Sequence, residues 1–241
     1  MADLDLSNVR VLTHSAVRIE AHDGTAIYFD PFQLAEEPHD ASVALITHDH
    51  YDHFSPEDVA KVANERTVFV APATCAEGVR DKLGLGEGRV IAARPGERLD
   101  VALPALPAAG GNAGTPATLA VEAVPAYNVQ PDRLNFHPQA NEWLGYVVAV
   151  GDVRYYVCGD TDQNPDNEHV ACDVAIVPIG GTYTMDAAQA AAFVNALRPR
   201  AAVPTHYGTA VGPKDAVDAF VPLVDDAIQV AVKMEWPKVT G

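Results

Sequence analysis

Apolar residues in this chain gather in short runs bounded by polar turns. Only a few stretches keep the three-to-four spacing of a helix. Residues 9–13, 16–20 and 26–29 are β-type runs, and the turn Ala21-His22-Asp23-Gly24 joins the last two as a hairpin. Val43, Ala44, Leu45 and Ile46 form an unbroken apolar run, the pattern of a buried strand. Ser55-Pro56-Glu57-Asp58 starts a helix that runs to about residue 64, with Ser as cap, Pro at the first position and acids in the first turn. A strand at 68–71 and a helix at 74–83, closed by Gly84, follow. Residues 121–124 form another strand, and 143–150 and 153–158 flank Gly151-Asp152 as a second hairpin. A buried strand at 174–178 precedes a helix at 185–197, whose Ala187, Ala190, Ala191, Val194 and Leu197 share one face. A strand at 201–204 and a helix at 213–220 complete the pattern. Residues 104–116, rich in Ala, Gly and Pro, predict a flexible loop and not a domain linker, because strand character resumes at Leu119. Both halves run strands then helices without a fixed repeat, and one domain over 1–241 is expected.

Composition narrows the partners. With 48% apolar residues the chain can bury a substantial core, and it has no apolar run long enough for a transmembrane helix. The balance of 33 acidic against 16 basic residues, net −17, argues against a nucleic-acid surface. A small anionic substrate stays compatible, because bound divalent cations reverse the local field. Cys75, Cys158 and Cys172 form no CxxC pair, and the N-terminal Met-Ala-Asp-Leu-Asp-Leu has no secretory pattern, so a reducing cytoplasm is the expected compartment. A homo-oligomer is compatible with the sequence.

The densest chemistry lies at residues 47–53, Thr-His-Asp-His-Tyr-Asp-His, where the loop leaves the 43–46 strand. Imidazole nitrogen and carboxylate oxygen are ligands for zinc, manganese and iron, and this string can present two ligand pairs. Three later spots could complete a metal site. Cys158-Gly159-Asp160-Thr161 and Pro204-Thr205-His206-Tyr207-Gly208 each end a short apolar strand, and His137 lies in an irregular segment ahead of both.

Asp30-Pro31, THDHYDH, Gly159-Asp160-Thr161 and Thr205-His206-Tyr207-Gly208, in that order, resemble the metallo-β-lactamase superfamily over nearly the whole chain. Residues 174–185, VAIVPIGGTYTM, resemble its ascorbate-6-phosphate lactonase-like and N-acyl-phosphatidylethanolamine phospholipase D-like hydrolases. The resemblance implies an α+β fold, a four-layer αβ/βα sandwich of two facing mixed sheets with outer helices. It implies one or two divalent ions, Zn²⁺ or Mn²⁺ with Fe as a further choice. His48 and His50 would hold metal one; Asp52, His53 and His206 metal two; Asp160 would bridge. Water between the metals would be the nucleophile, oriented by Asp52, on an ester, lactone or phosphodiester of a small molecule. One departure stands out: after the 121–124 strand, Tyr127-Asn128 occupies the place of the family's third metal-one His. His137, nine residues beyond Asn128, is the substitute; an incomplete metal-one site is the alternative. A di-iron redox enzyme and a non-catalytic metal-binding protein are the rival readings.

Other residues carry two readings each. His14 could stand behind the metal ligands or face substrate, or be only a buried, hydrogen-bonded His. Asp30 could accept the second ring N–H of a ligand His or simply make a turn. Tyr207 could aim its hydroxyl at substrate or pack against a helix. Gly180-Gly181 lets backbone pass close to the site, and Arg133 is the best cation for an anionic group. His22, His39 and His169 read as solvated, and the cysteines as inert. The acidic, lysine-poor composition also fits a salt-adapted protein, whose self-repulsion salt would screen. Its melting temperature is expected to rise from dilute buffer to molar KCl; no rise would exclude salt adaptation.

Overall fold

The computed structural model describes residues 3–105 and 117–236. Most of the loop expected at 104–116 lies outside them. The first sheet takes β1 (Val9–Thr13), β2 (Ala16–Glu20), β3 (Ala26–Phe29), β4 (Ala41–Leu45), β5 (Val68–Pro72) and β6 (Val90–Ala93) in chain order. Helix α1 (Pro56–Val62) joins β4 to β5, and α2 (Ala76–Lys82) joins β5 to β6. The second sheet takes β7 (Arg98–Leu103), β8 (Ala117–Pro125), β9 (Leu144–Val150), β10 (Val153–Val157), β11 (Val174–Pro178), β12 (Ala201–Thr205) and β13 (Gln229–Val230), again in chain order. Helix α3 (Ala187–Leu197) joins β11 to β12, and α4 (Ala216–Phe220) lies between β12 and β13.

Strand alternation builds the layers. Along β11, Val174 and Ile176 point into the core between the sheets, while Ala175 and Val177 point outward under α3 and α4. Along β4, Val43 and Leu45 join the central core, and Ala44, with Ile46 just beyond, packs outward against Val59 and Val62 of α1 and Val79 of α2. A strand buried on both faces needs an unbroken apolar run, which is what these segments have. The expected four-layer sandwich of two mixed sheets with outer helices is therefore present.

Direction decides where the loops go. β1, β3, β4, β5 and β6 run one way in the first sheet, with β2 antiparallel between β1 and β3. In the second sheet β8, β10, β11 and β12 share a direction, with β9 reversed. The C-terminal ends of β1, β3 and β4, and those of β8, β10 and β12, meet along one edge of the sandwich. Two backbone hydrogen bonds stitch the sheets there: His206 N–H to His14 C=O at 3.0 Å and Leu144 N–H to Thr47 C=O at 3.1 Å. The Tyr146 hydroxyl adds a third, donating to Ile46 C=O at 2.9 Å.

The interior strands and both hairpins lie where the apolar pattern predicts. The strands that the pattern leaves unassigned, β6, β7 and β13, are all edge strands. An edge strand buries only part of its surface, so its apolar signal is weak; β6 keeps just Ala93 fully buried. Helices α2, α3 and α4 start later than the pattern suggests. For α3 the cause is a capping box: the Asp186 carboxylate accepts Gln189 N–H and the Gln189 side chain accepts Asp186 N–H. No helix among the described residues is long and apolar enough to cross a membrane. Ile176, 1% exposed in the central core, tests the packing. Ile176→Ala is expected to cost about 2–5 kcal/mol, read from the urea midpoint at unchanged m-value.

Candidate metal centre

The loop after β4 turns sharply, with His53 N–H and Phe54 N–H both donating to His50 C=O, at 3.0 and 2.8 Å. It thereby swings His48, His50, Asp52 and His53 toward one point. Asp30, just beyond β3, fixes this loop from beneath. Its Oδ1 accepts Thr47 N–H at 2.8 Å, and its Oδ2 accepts the Thr47 hydroxyl at 2.6 Å and His53 Nδ1–H at 2.7 Å. The supporting role expected for Asp30 is thus visible as a hydrogen bond, and it leaves His53 Nε2 facing the site. Thr47 Oγ1 also lies 3.0 Å from His48 Nδ1.

Two groups of side chains converge. His48, His50 and His137 bring ligand atoms within 4.8 Å of one another; His14, Asp52, His53 and His206 do the same. Asp160, on the loop after β10, lies between them. Its Oδ2 is 3.2 Å from His137 Nε2 and 3.0 Å from His206 Nε2, and its Oδ1 is 3.3 Å from His53 Nε2. His53 Nε2, His137 Nε2, both ring nitrogens of His206 and Asp160 Oδ1 are buried without a hydrogen-bond partner. A cluster of buried donor atoms without partners is costly as it stands, and a cation among them supplies what they lack. The donor set, imidazoles and carboxylates, fits zinc, manganese or iron.

His137 reaches the cluster because its loop folds back. Asn128 N–H donates to His137 C=O at 2.8 Å, closing the 128–137 segment on itself. The Asn128 amide donates to Arg133 C=O at 2.9 Å and Tyr183 C=O at 2.8 Å, and lies 3.2 Å from His137 Nδ1. Asn128 thus holds the loop, while the Tyr127 hydroxyl points away to Asp166.

Left-handed backbone sets three of these side chains. His14, Asp30 and His206 have φ of 49°, 43° and 57°, each at or just past a strand end. Asp and His tolerate this region better than bulky residues, and the turn lifts the side chain over the sheet edge. Gly180 has no such freedom to trade: a Cβ there would sit 2.1 Å from His206 C=O, so only glycine allows the two backbones to pass.

Burial favours the neutral form of His14, His48 and His50. Burial, reinforced by the neighbouring His53, holds His48 well below its ordinary value, and burial with His137 lowers His50. Neutral imidazoles have the lone pair that a metal needs. Burial opposes charge on His53 too, but Asp160 and Asp30 outweigh it and raise the ring well above its usual range. Burial likewise works against ionised Asp160, yet His206 and His53 hold it well below the carboxylate range.

His14 is buried and hydrogen-bonded, and one of its partners is the candidate ligand Asp52. Its Nε2 lies 3.2 Å from Asp52 Oδ2 and its Nδ1 lies 3.0 Å from Thr209 Oγ1. Burial and His206 push its pKa down to about 4, so the ring is neutral near pH 7. Neutrality orders the chain of donors: Thr209 O–H to Nδ1, then Nε2–H to Asp52. Nothing in the sequence around Thr209 signals that part.

Tyr207 is fully buried in the outer core with α3 and α4 and lies edge-on to Trp236, so its ring packs against the helix layer; its hydroxyl is buried without a hydrogen-bond partner. Arg133 is buried too, with Nε and Nη2 on Asp162 Oδ1 at 2.8 and 2.6 Å and Nη2 on Gln189 Oε1 at 2.8 Å. It latches the loop that carries His137 and is not presented to an anion. A cavity of about 580 Å³ lies over the outer face of the first sheet beside Arg18, Tyr28 and Trp236 and includes no residue of the His–Asp cluster. The convergence of unpartnered donors, and not cavity size, marks the centre.

Comparison with known proteins agrees with this geometry. The profile of the β-lactamase superfamily domain matches residues 8–206. The chain belongs to the metallo-β-lactamase superfamily. A relative from Aeropyrum pernix, named a UPF0173 metal-dependent hydrolase, is 31% identical, over 85% of this chain and 84% of its own length. A solved structure from Parabacteroides distasonis, named as a candidate metal-dependent hydrolase, superimposes with a TM-score of 0.70 at 25% identity, covering 94% and 93% of the two chains. The di-iron β-hydroxylase CmlA of Streptomyces venezuelae shares the metallo-β-lactamase fold, with a TM-score of 0.65 at 17% identity over 93% of this chain and 52% of its own.

Asp30 offers a direct test. In Asp30→Asn an amide N–H faces the ring N–H of His53, which turns that imidazole or its tautomer. Zinc affinity is expected to fall about 10–100-fold with the circular dichroism spectrum unchanged; unchanged affinity would show that Asp30 serves the loop alone.

Proposed function

We propose that this chain is a metal-dependent hydrolase that cleaves an ester, lactone or phosphodiester bond of a small molecule. One observation supports it above the others: a buried carboxylate, Asp160, within 3.0–3.3 Å of imidazole nitrogens from both ligand groups. His48, His50 and His137 would hold one divalent cation. Asp52, His53 and His206 would hold a second, with Asp160 offering an oxygen to each.

Divalent cations at such a centre acidify water and polarise the scissile bond. The chain's own residues do the remaining work. Asp52 stays ionised: burial opposes this, but the hydrogen bond from His14 and the charge of His53 bring its pKa down to about 2. An ionised Asp52 can accept a proton of the attacking water and orient it, while Thr209 and His14 keep the carboxylate from rotating. Trp143, packed at 4.9 Å from His48 and 4.7 Å from His50, confines both rings and keeps bulk water off one flank. His50 and Asp52 retain slight exposure, so the reacting bond would approach from their side.

A di-iron oxidation centre is the second reading, since imidazole and carboxylate suit iron as well. Metal analysis after aerobic purification, with a visible spectrum, separates the two. For the hydrolase, wild type loaded with Zn²⁺ or Mn²⁺ is expected to carry two metals per chain and His137→Ala one. Asp160→Ala is expected to lower kcat/KM on p-nitrophenyl esters or bis(p-nitrophenyl) phosphate more than about 100-fold. A metal ratio unchanged by His137→Ala would remove that residue from the ligand set. No turnover with a filled centre would favour a non-catalytic metal protein.

A further inference from the structure

The loops bordering the centre are unusual in what they expose. Tyr51, between His50 and Asp52, is 71% exposed; Leu134 and Phe136, beside His137, are 45% and 41% exposed; Tyr183 is 38% exposed. Phe136 and Tyr183 meet edge to face with centroids 4.7 Å apart, although the residues belong to different loops. Tyr183 is tied to the same place through its carbonyl, which accepts the Asn128 amide. Isolated exposed apolar residues need no explanation, but an exposed aromatic pair joining two loops beside the candidate ligands does.

The second observation is electrostatic. The segments 47–54, 126–142, 158–168, 180–186 and 206–212 contain Arg133 and no other Arg or Lys. Arg133 is buried and paired with Asp162 and Gln189. Among the described residues, these loops therefore offer no accessible cation to a negatively charged group lying away from the metals. Asp49 and Asp132 are exposed there, and the whole chain carries −17. A distal anion on a substrate would meet repulsion and no partner.

We propose that the Phe136–Tyr183 pair, with Leu134 on the same loop as Phe136, forms an apolar lip that receives an uncharged aliphatic or aromatic group of the substrate, so that the bond hydrolysed is one in a neutral ester or lactone with a hydrophobic acyl part. The inference rests on the hydrolase reading. Aromatic rings supply large contact area at low entropic cost, and an open lip gains affinity in proportion to the apolar area it covers.

The test uses the zinc-loaded protein and p-nitrophenyl esters from acetate to octanoate, set against eight-carbon monoesters whose acyl chain ends in a carboxylate. kcat/KM is expected to rise about threefold per methylene, with octanoate preferred at least about tenfold over its ω-carboxylate partner. Phe136→Ser and, separately, Tyr183→Ser should flatten the chain-length slope while leaving acetate hydrolysis and metal content unchanged. Activity independent of chain length, or equal use of the ω-carboxylate ester, would overturn the lip while leaving the hydrolase reading intact. If neither the esters nor bis(p-nitrophenyl) phosphate are turned over with the centre filled, the hydrolase reading fails, and the lip is decided by binding. N-alkyl acetamides titrated against tryptophan emission should bind about threefold more tightly per methylene, and binding independent of chain length overturns it.

Discussion

The carboxylate of Asp30 is the fixed point of the centre. It lies under the loop after β4, neutralises Thr47 N–H, the Thr47 hydroxyl and His53 Nδ1–H together, and is itself buried. A buried carboxylate is tolerable only when hydrogen-bonded, so its partners cannot move independently. Once Thr47 and His53 are held, the five residues between them have little freedom. His48 is tied through Thr47, and His50 closes the turn by accepting two backbone N–H groups. The first sheet therefore delivers its share of the centre as one rigid unit.

The second sheet delivers the rest against it. Asp160 and His206 come from the ends of parallel strands, and the bond between His206 N–H and His14 C=O joins them to β1 of the opposite sheet. Rigidity matters because the gathered groups repel one another without a cation between them. Imidazoles crowd around Asp160, and the protein meets this by keeping His48 and His50 neutral and letting His53 share charge with two carboxylates. The hydrogen-bond chain from Thr209 through His14 to Asp52 extends this order one layer outward.

Tyr127-Asn128 stands where the superfamily resemblance implies a histidine, and the backbone and amide of Asn128 fold the following loop so that His137 lies beside His48 and His50. Arg133 is spent on holding that loop down, and among the described residues the loops around the centre carry no other Arg or Lys. The ion pair that positions the loop of His137 therefore also occupies the one Arg of these loops.

Much was legible in the residues alone. Unbroken apolar runs marked the interior strands, alternating exposure set the layers, and the order of THDHYDH, Asp160 and His206 marked the cluster, because these depend on local pattern and on strand ends. The edge strands β6, β7 and β13 were not legible, since a half-buried strand carries half the signal. The pairing of His14 with Thr209, the burial of Tyr207 and the commitment of Arg133 to Asp162 were decided only by tertiary structure. Each depends on which side of a strand end faces the core and on contacts between residues 29 to 195 positions apart. Hydrophobic periodicity determines what is buried; the partner that satisfies each buried polar atom is chosen by packing in three dimensions.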